Sequence, residues 1–119
     1  GIEGLKLTVA HSHAHQDHRF GDAQFADRPL TTVVGNEAPQ VAEFFGLKSW
    51  PDAHAVYELG ERELRVISIP GHEAAHIAIY DPTTLSLLSG DSLYPGLLTV
   101  RDRSAYVASI VGHGVREEA

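Results

Sequence analysis

The chain has 119 residues, a length that corresponds to one domain with a core of its own. Hydrophobic residues make up 43% and charged residues 21%, which is ordinary globular usage and excludes a disordered tail, a collagen-like repeat and a coiled coil. A formal net charge of -7 argues against a nucleic-acid partner held by its phosphates, and the lack of Cys leaves only nitrogen and oxygen as metal ligands.

Neither a membrane span nor an export signal is visible in the sequence. No apolar run approaches the roughly 20 residues that are needed to cross a bilayer. The start of the chain has no charged region followed by an apolar stretch. We therefore expect a cytoplasmic location and no membrane partner.

The first half of the chain is predicted to contain two strands and one helix. Residues 5–9 alternate apolar and polar side chains, as strands do, and lead into a cluster of His and Asp. Residues 30–34 form a β-branched run that indicates a second strand. Residues 37–45 have apolar side chains at helical spacing, with Asn36 as the expected N-cap and Gly46 beyond the end.

The second half is predicted to be a meander of strands followed by a helix. Gly and Pro turns separate four short apolar runs, at residues 56–59, 64–69, 76–80 and 85–88. A helix is predicted over residues 102–110, beginning near Asp102 or Ser104 and followed by a loose polar tail.

Four of the eight His lie within residues 11–18. In extended or loop backbone, residues two apart point the same way, so His13 and His15 can face one ion. Asp17 and His18 follow a turn and can face a second, neighbouring ion position. This spacing indicates two adjacent metal positions, with a solvated His-rich loop as the alternative.

Three further candidate ligands each follow a glycine: His72, Asp91 and His113. Glycine beside a ligand lets the backbone turn sharply and approach closely. Taken singly, each residue also has a common structural explanation, as a turn His, a capping Asp or a His in a tail. Their order after the first His cluster is what favours a metal site.

The run His13-Ala14-His15-Gln16-Asp17-His18 resembles the HxHxDH signature of the metallo-β-lactamase superfamily, and the later candidates resemble its downstream motifs in the same order. The resemblance implies one α/β domain over residues 1–119, a partial or compact αβ/βα sandwich. It also implies one zinc site made by His13, His15 and His72, a second made by Asp17, His18 and His113, and a bridging Asp91.

By this resemblance the protein would be a metal-dependent hydrolase that uses a metal-bridging hydroxide on a small ester, thioester, lactone or lactam. The cofactors would be two divalent metal ions, zinc first, with iron and manganese as alternatives for such ligands. The catalytic residues would be His13, His15, Asp17, His72 and Asp91. Two rival interpretations are a mononuclear iron oxygenase of the same superfamily and a non-catalytic truncated remnant that assembles as a homo-oligomer through an exposed sheet.

The sequence departs from the family pattern in three places. Glu73 follows His72 where the family often has a small hydroxyl residue, and we expect its carboxylate to orient a ligand His. Only ten residues precede His11, whereas several strands usually precede this motif. The last His of the family normally follows a full helix, yet only Val111 and Gly112 separate Ile110 from His113. We therefore expect the domain to be incomplete at its N-terminus and near residues 110–111.

Residues 72–76 also match HExxH, a zinc signature of peptidases that requires a helix. Pro70 and Gly71 break the chain just before this segment, and residues 76–80 alternate like a strand after it. The sequence therefore predicts a loop over residues 72–75, which is incompatible with the peptidase interpretation.

Overall fold

The structure is a computed structural model and describes residues 4–114, with the side chains of residues 113 and 114 left out. The strands and helices are β1 (Leu7–Val9), β2 (Thr31–Val33), α1 (Ala38–Phe45), β3 (His54–Glu58), β4 (Glu63–Ser68), β5 (Ile77–Asp81), β6 (Ser86–Leu88) and α2 (Arg103–Gly114). The α/β fold class expected from the sequence is confirmed.

The strands form two sheets. β1 and β2 pair in parallel, and β3 to β6 form an antiparallel meander in chain order. The predicted meander is therefore confirmed, with strand ends shifted by one or two residues. Such shifts are expected because the last residues of a strand depend on pairing as well as on local pattern.

α1 buries Val41 and Phe45, the apolar positions that indicated a helix. The N-cap is Glu37 and not Asn36, so that detail of the prediction is wrong. Glu37 has an extended backbone, and its N–H donates to the side-chain oxygen of Gln40 at 3.1 Å. The Glu37 side chain in turn accepts from the backbone N–H of Gln40. The two residues thus satisfy two backbone donors of the first turn reciprocally, which Asn36 does not do.

α2 begins as predicted and ends later. The Asp102 side chain accepts from the backbone N–H of Ala105 at 3.0 Å, which caps the first turn. The helix continues through Gly114, beyond the predicted end at residue 110. Glycine lowers helix propensity without removing the backbone donor, so Gly112 does not interrupt the helix. Among the described residues, no helix is long and apolar enough to cross a membrane.

The core lies where α1 packs against the inner face of the meander. Its buried residues include Val34, Val41, Phe45, Leu47, Val66, Ala75 and Ile77. The hydroxyl groups of Thr8 and Tyr57, 2.6 Å apart, connect the two sheets. A cleft of about 890 Å³ separates the sheets beyond this contact.

The loop that follows β1 is connected directly to the start of β5. The backbone N–H of Ile77 donates to the carbonyl of Ser12 at 2.7 Å. This bond places the His-rich segment beside the turn that precedes β5. Two parts of the chain that are distant in sequence therefore meet at one edge of the molecule.

Candidate metal centre

His13 lies at the centre of a cluster of imidazole rings. The residue is only 2% exposed. The ring centroids of His15, His18 and His72 lie 4.7, 4.1 and 4.9 Å from that of His13. The packing of the two loops thus brings together the histidines that the sequence singled out in two separate segments.

His13, His15 and His72 form the first group of possible ligands. The Nδ1 atom of His15 is 3.1 Å from Nε2 of His13 and 3.2 Å from Nε2 of His72. Three ring nitrogens converge on one small volume, as ligands of a single ion do.

In His72 and His13, the ring nitrogen that faces away from the group has a hydrogen-bond partner of its own. His72 donates its Nδ1–H to the carbonyl of Thr99 at 2.6 Å, which leaves the Nε2 lone pair directed at the group. The Nδ1 atom of His13 is 2.9 Å from the hydroxyl of Ser12. Metal-binding histidines characteristically use the second nitrogen in this way, so the donor set fits a divalent cation such as zinc.

A second group adjoins the first and consists of His13, His18 and Asp91. The Asp91 carboxylate lies between the two groups. Its Oδ1 is 3.3 Å from Nε2 of His18, and its Oδ2 is 3.5 Å from Nε2 of His72 and 3.9 Å from that of His13. The two oxygens of Asp91 thus face different histidines.

Two predicted ligands of the second site are not in these groups as described. The side chain of Asp17 is 73% exposed and contacts His18 at 3.6 Å, but it belongs to neither group. The side chain of His113 lies outside the described residues. The structure therefore brings together His13, His15, His18, His72 and Asp91.

His76 is a buried member of the cluster that the sequence analysis placed in the rejected HExxH motif and at the start of a predicted strand, but not among the candidate ligands. It is fully buried, and its ring stacks on that of His13 with centroids 4.7 Å apart and planes 4° apart. The signal that could have identified it is its position one residue before β5, where alternation places it on the side opposite Ile77.

Burial is the main cause of the pKa shifts in this cluster. Burial, together with the neighbouring His76 and His18, lowers the pKa of His13 to about 3. Burial also lowers the pKa of His76 to about 4, against the opposing effects of the Ile77 carbonyl and of Asp91. Both rings are therefore neutral at pH 7, the state in which an imidazole can accept a bond or bind a metal.

The loop predicted over residues 72–75 is confirmed, because these residues form bends and a turn. The HExxH arrangement is excluded, since it requires both histidines on one helix and residues 72–75 form no helix. The expected role of Glu73 is wrong in one respect. Its carboxylate accepts from the backbone N–H groups of Ala14 and Ala75, at 3.1 and 2.9 Å, instead of from a histidine ring.

A family model described as the metallo-beta-lactamase superfamily matches residues 7–116. Three similar proteins are named hydroxyacylglutathione hydrolase. The one from Synechococcus sp. (strain JA-3-3Ab) is 30% identical over 91 residues, which are 76% of this chain and 36% of the relative.

The protein from Mesorhizobium japonicum is 29% identical over 83 residues, which are 70% of this chain and 32% of the relative. The one from Chromohalobacter salexigens is 36% identical over 99 residues, which are 79% of this chain and 36% of the relative. The chain thus spans about a third of the length of these curated relatives.

Proposed function

The chain belongs to the metallo-β-lactamase superfamily, and on that premise we propose that it provides the metal centre of a hydrolase that acts on acyl thioesters. The observation that carries the proposal is the position of Asp91. One carboxylate oxygen faces His18 and the other faces His72, so a single side chain can serve two adjacent ions.

The metal ligands follow from the two groups. The first ion would be held by His13, His15 and His72, and Asp91 would be shared with the second. His18 belongs to the second ion, and Asp17 and His113 remain its proposed further ligands. Zinc suits this mixture of imidazole and carboxylate ligands, and iron or manganese would also be accepted by it.

A pair of divalent ions bound here would supply Lewis-acid polarisation of the scissile carbonyl and a bound water of lowered pKa. The protein's own contribution is orientation. The Thr99 carbonyl holds the ring of His72 by its Nδ1–H, and the buried His13 offers a neutral nitrogen at pH 7. Ligands that are positioned before substrate arrives need no reorganisation during the reaction.

An exposed apolar segment supports an acyl substrate. Leu93, Tyr94 and Leu97 are exposed and lie in the chain between Asp91 and Thr99, both of which contact the cluster. Apolar side chains next to a polar reaction centre are typical of small-molecule sites. We propose that they contact the acyl group of the substrate.

The thioester class comes from the similar proteins. Their names describe hydrolysis of hydroxyacylglutathione, in which an acyl group is joined to the sulfur of glutathione. An oxygen ester, a lactone and a lactam are the other substrates to be compared.

The test uses the whole chain loaded with zinc and assayed on a hydroxyacyl thioester of glutathione, the matching oxygen ester, a lactone and a β-lactam. We expect hydrolysis of the thioester, abolished by a chelator and restored by zinc. The isosteric change Asp91→Asn removes the shared charge and should lower the rate about a hundredfold or more, comparable with the loss of one preorganised electrostatic group.

His54→Gln, which changes an exposed histidine of β3, serves as the matched control and should keep the parent's rate. An unchanged rate in Asp91→Asn would contradict the proposal. Bound iron with oxygen uptake and no hydrolysis would favour the oxygenase interpretation instead.

A further inference from the structure

His76 has both ring nitrogens engaged by the backbone. The N–H of Asp91 donates to its Nε2 at 3.2 Å, and its Nδ1 lies 3.1 Å from the carbonyl of Ile77. Because Nε2 accepts a hydrogen bond, the proton of the neutral ring is on Nδ1 and is directed at Ile77. No lone pair remains for a metal ion, which explains why this buried ring belongs to neither ligand group.

The contact with Asp91 depends on a close approach of two backbones. Gly90 has φ +52°, and a Cβ there would lie 2.7 Å from the side chain of Ser12 and 2.8 Å from Cε1 of His76. Only glycine permits both this backbone conformation and this distance. The segment that carries Asp91 therefore packs directly against the ring of His76.

We infer that His76 is a positioning residue, which holds the backbone of Asp91 and stacks on His13 so that the Asp91 carboxylate lies between the two ligand groups. The inference rests on the proposed metal centre for its functional consequence. The hydrogen bond itself exists without a metal, so it can be tested independently.

Two substitutions distinguish the role of the hydrogen-bond acceptor of His76 from that of its aromatic ring. His76→Phe keeps an aromatic ring beside His13 but removes the acceptor and leaves the N–H of Asp91 unpaired. His76→Gln loses the ring but can place an amide oxygen near the position of Nε2. A purely structural role of the ring predicts that Phe is the better replacement, whereas the positioning role predicts that Gln is.

The first measurement uses the metal-free chain and follows hydrogen exchange of the Asp91 amide by NMR. We expect slow exchange in the parent and in His76→Gln, and exchange at least about tenfold faster in His76→Phe, because a hydrogen-bonded amide exchanges only on opening. Equal exchange in all three proteins would overturn the inference, whether or not the chain binds metal.

The second measurement is a zinc titration of the same proteins. We expect His76→Phe to lower the affinity for the second zinc equivalent about tenfold to a hundredfold, as loss of a ligand's supporting partner does. The affinity of His76→Gln should remain near that of the parent. Equal losses in both variants, or none in either, would overturn the inference. A parent that binds no zinc would contradict the proposed function alone, since the exchange measurement still decides the role of His76.

Gly90→Ala provides a route that leaves His76 intact. The added methyl group should displace Asp91 from the ring and reproduce the faster amide exchange of His76→Phe. Parent-like exchange in this variant would contradict the inference. Because His76 is unchanged in Gly90→Ala, the inference can still be tested if His76→Phe fails to fold.

Discussion

Glu73 accepts a hydrogen bond from the backbone N–H of Ala14, 59 residues earlier in the chain, at 3.1 Å. Ala14 separates His13 from His15, and Glu73 directly follows His72. The carboxylate therefore ties together the two loops that supply the first ligand group. The carbonyl of Ala14 is held as well, by Nε of Arg19 at 2.6 Å.

Replacing Glu73 should weaken the first metal site. Glu73→Ala leaves two backbone donors without their acceptor, which costs about 1–3 kcal/mol of stability and loosens the join between the loops. We expect the affinity for the first zinc equivalent to fall about tenfold or more, measured by titration against a competing chelator. Glu73→Gln keeps an acceptor oxygen and should recover most of the affinity.

The matched control is Glu43→Ala, which removes an exposed carboxylate from α1. Its zinc affinity should equal that of the parent. If Glu73→Ala also bound zinc like the parent, the proposed tie between the loops would have no role in metal binding.

The two metal sites are expected to fill in order. The first group draws on histidines held by loops next to strands, whereas the second also requires Asp17, which is exposed, and His113. We expect His113→Ala, or a chain ending at Gly112, to bind the first zinc equivalent normally and the second more weakly. Two equivalents bound equally tightly by the parent and by both variants would show that His113 is not a ligand.

The stability of the metal-free chain should depend on pH below about 6.5. The pKa of His13 is lowered to about 3 and that of His76 to about 4 in the folded chain, so the unfolded chain binds more protons in acid. The free energy of unfolding therefore falls as the pH falls from 6.5. Between pH 6.5 and 5 the two residues together should cost on the order of 3 kcal/mol.

Urea unfolding of the metal-free chain at several pH values measures this effect. In His76→Gln one of the two groups is gone, so the slope below pH 6.5 should be clearly smaller than in the parent. His54→Gln removes an exposed histidine and should keep the parent's slope. A parent stability that did not change between pH 6.5 and 5 would contradict neutral burial of these rings.

Gly71→Ala should destabilise the turn that carries His72. Gly71 has φ +151°, and a Cβ there would lie 2.5 Å from the Cα of Tyr106 in α2. We expect a loss of more than about 2 kcal/mol, because backbone strain and a clash with backbone atoms act together. Urea unfolding measures the loss, and a weaker first zinc equivalent should accompany it.

Gly60→Ala is the control for strain without a clash, since Gly60 has φ +83° and no atom within 4 Å of its Cβ position. It should cost only about 1 kcal/mol. Equal losses in the two variants would mean that contact with α2 does not constrain the turn before His72.

The local elements could be predicted from the sequence because their causes are local. Alternation of apolar residues predicted the meander, and Pro70 with Gly71 predicted the loop that excludes a helical HExxH site. Errors arose where side chains a few residues apart compete, as at the N-cap of α1, and where a glycine weakens a helix without ending it, as at Gly112.

The sequence by itself determined the chemical nature of the site. The spacing of His13, His15 and His18 and the lack of Cys place candidate nitrogen and oxygen ligands in one short segment, whatever the rest of the chain does. Only the tertiary structure decided how those ligands are completed and supported. His72 meets His15 across 57 residues, and Asp91 rests on His76 across 15. The physical reason is that these contacts arise when the two loops pack at the end of β1 and the start of β5, and no local backbone preference encodes that approach.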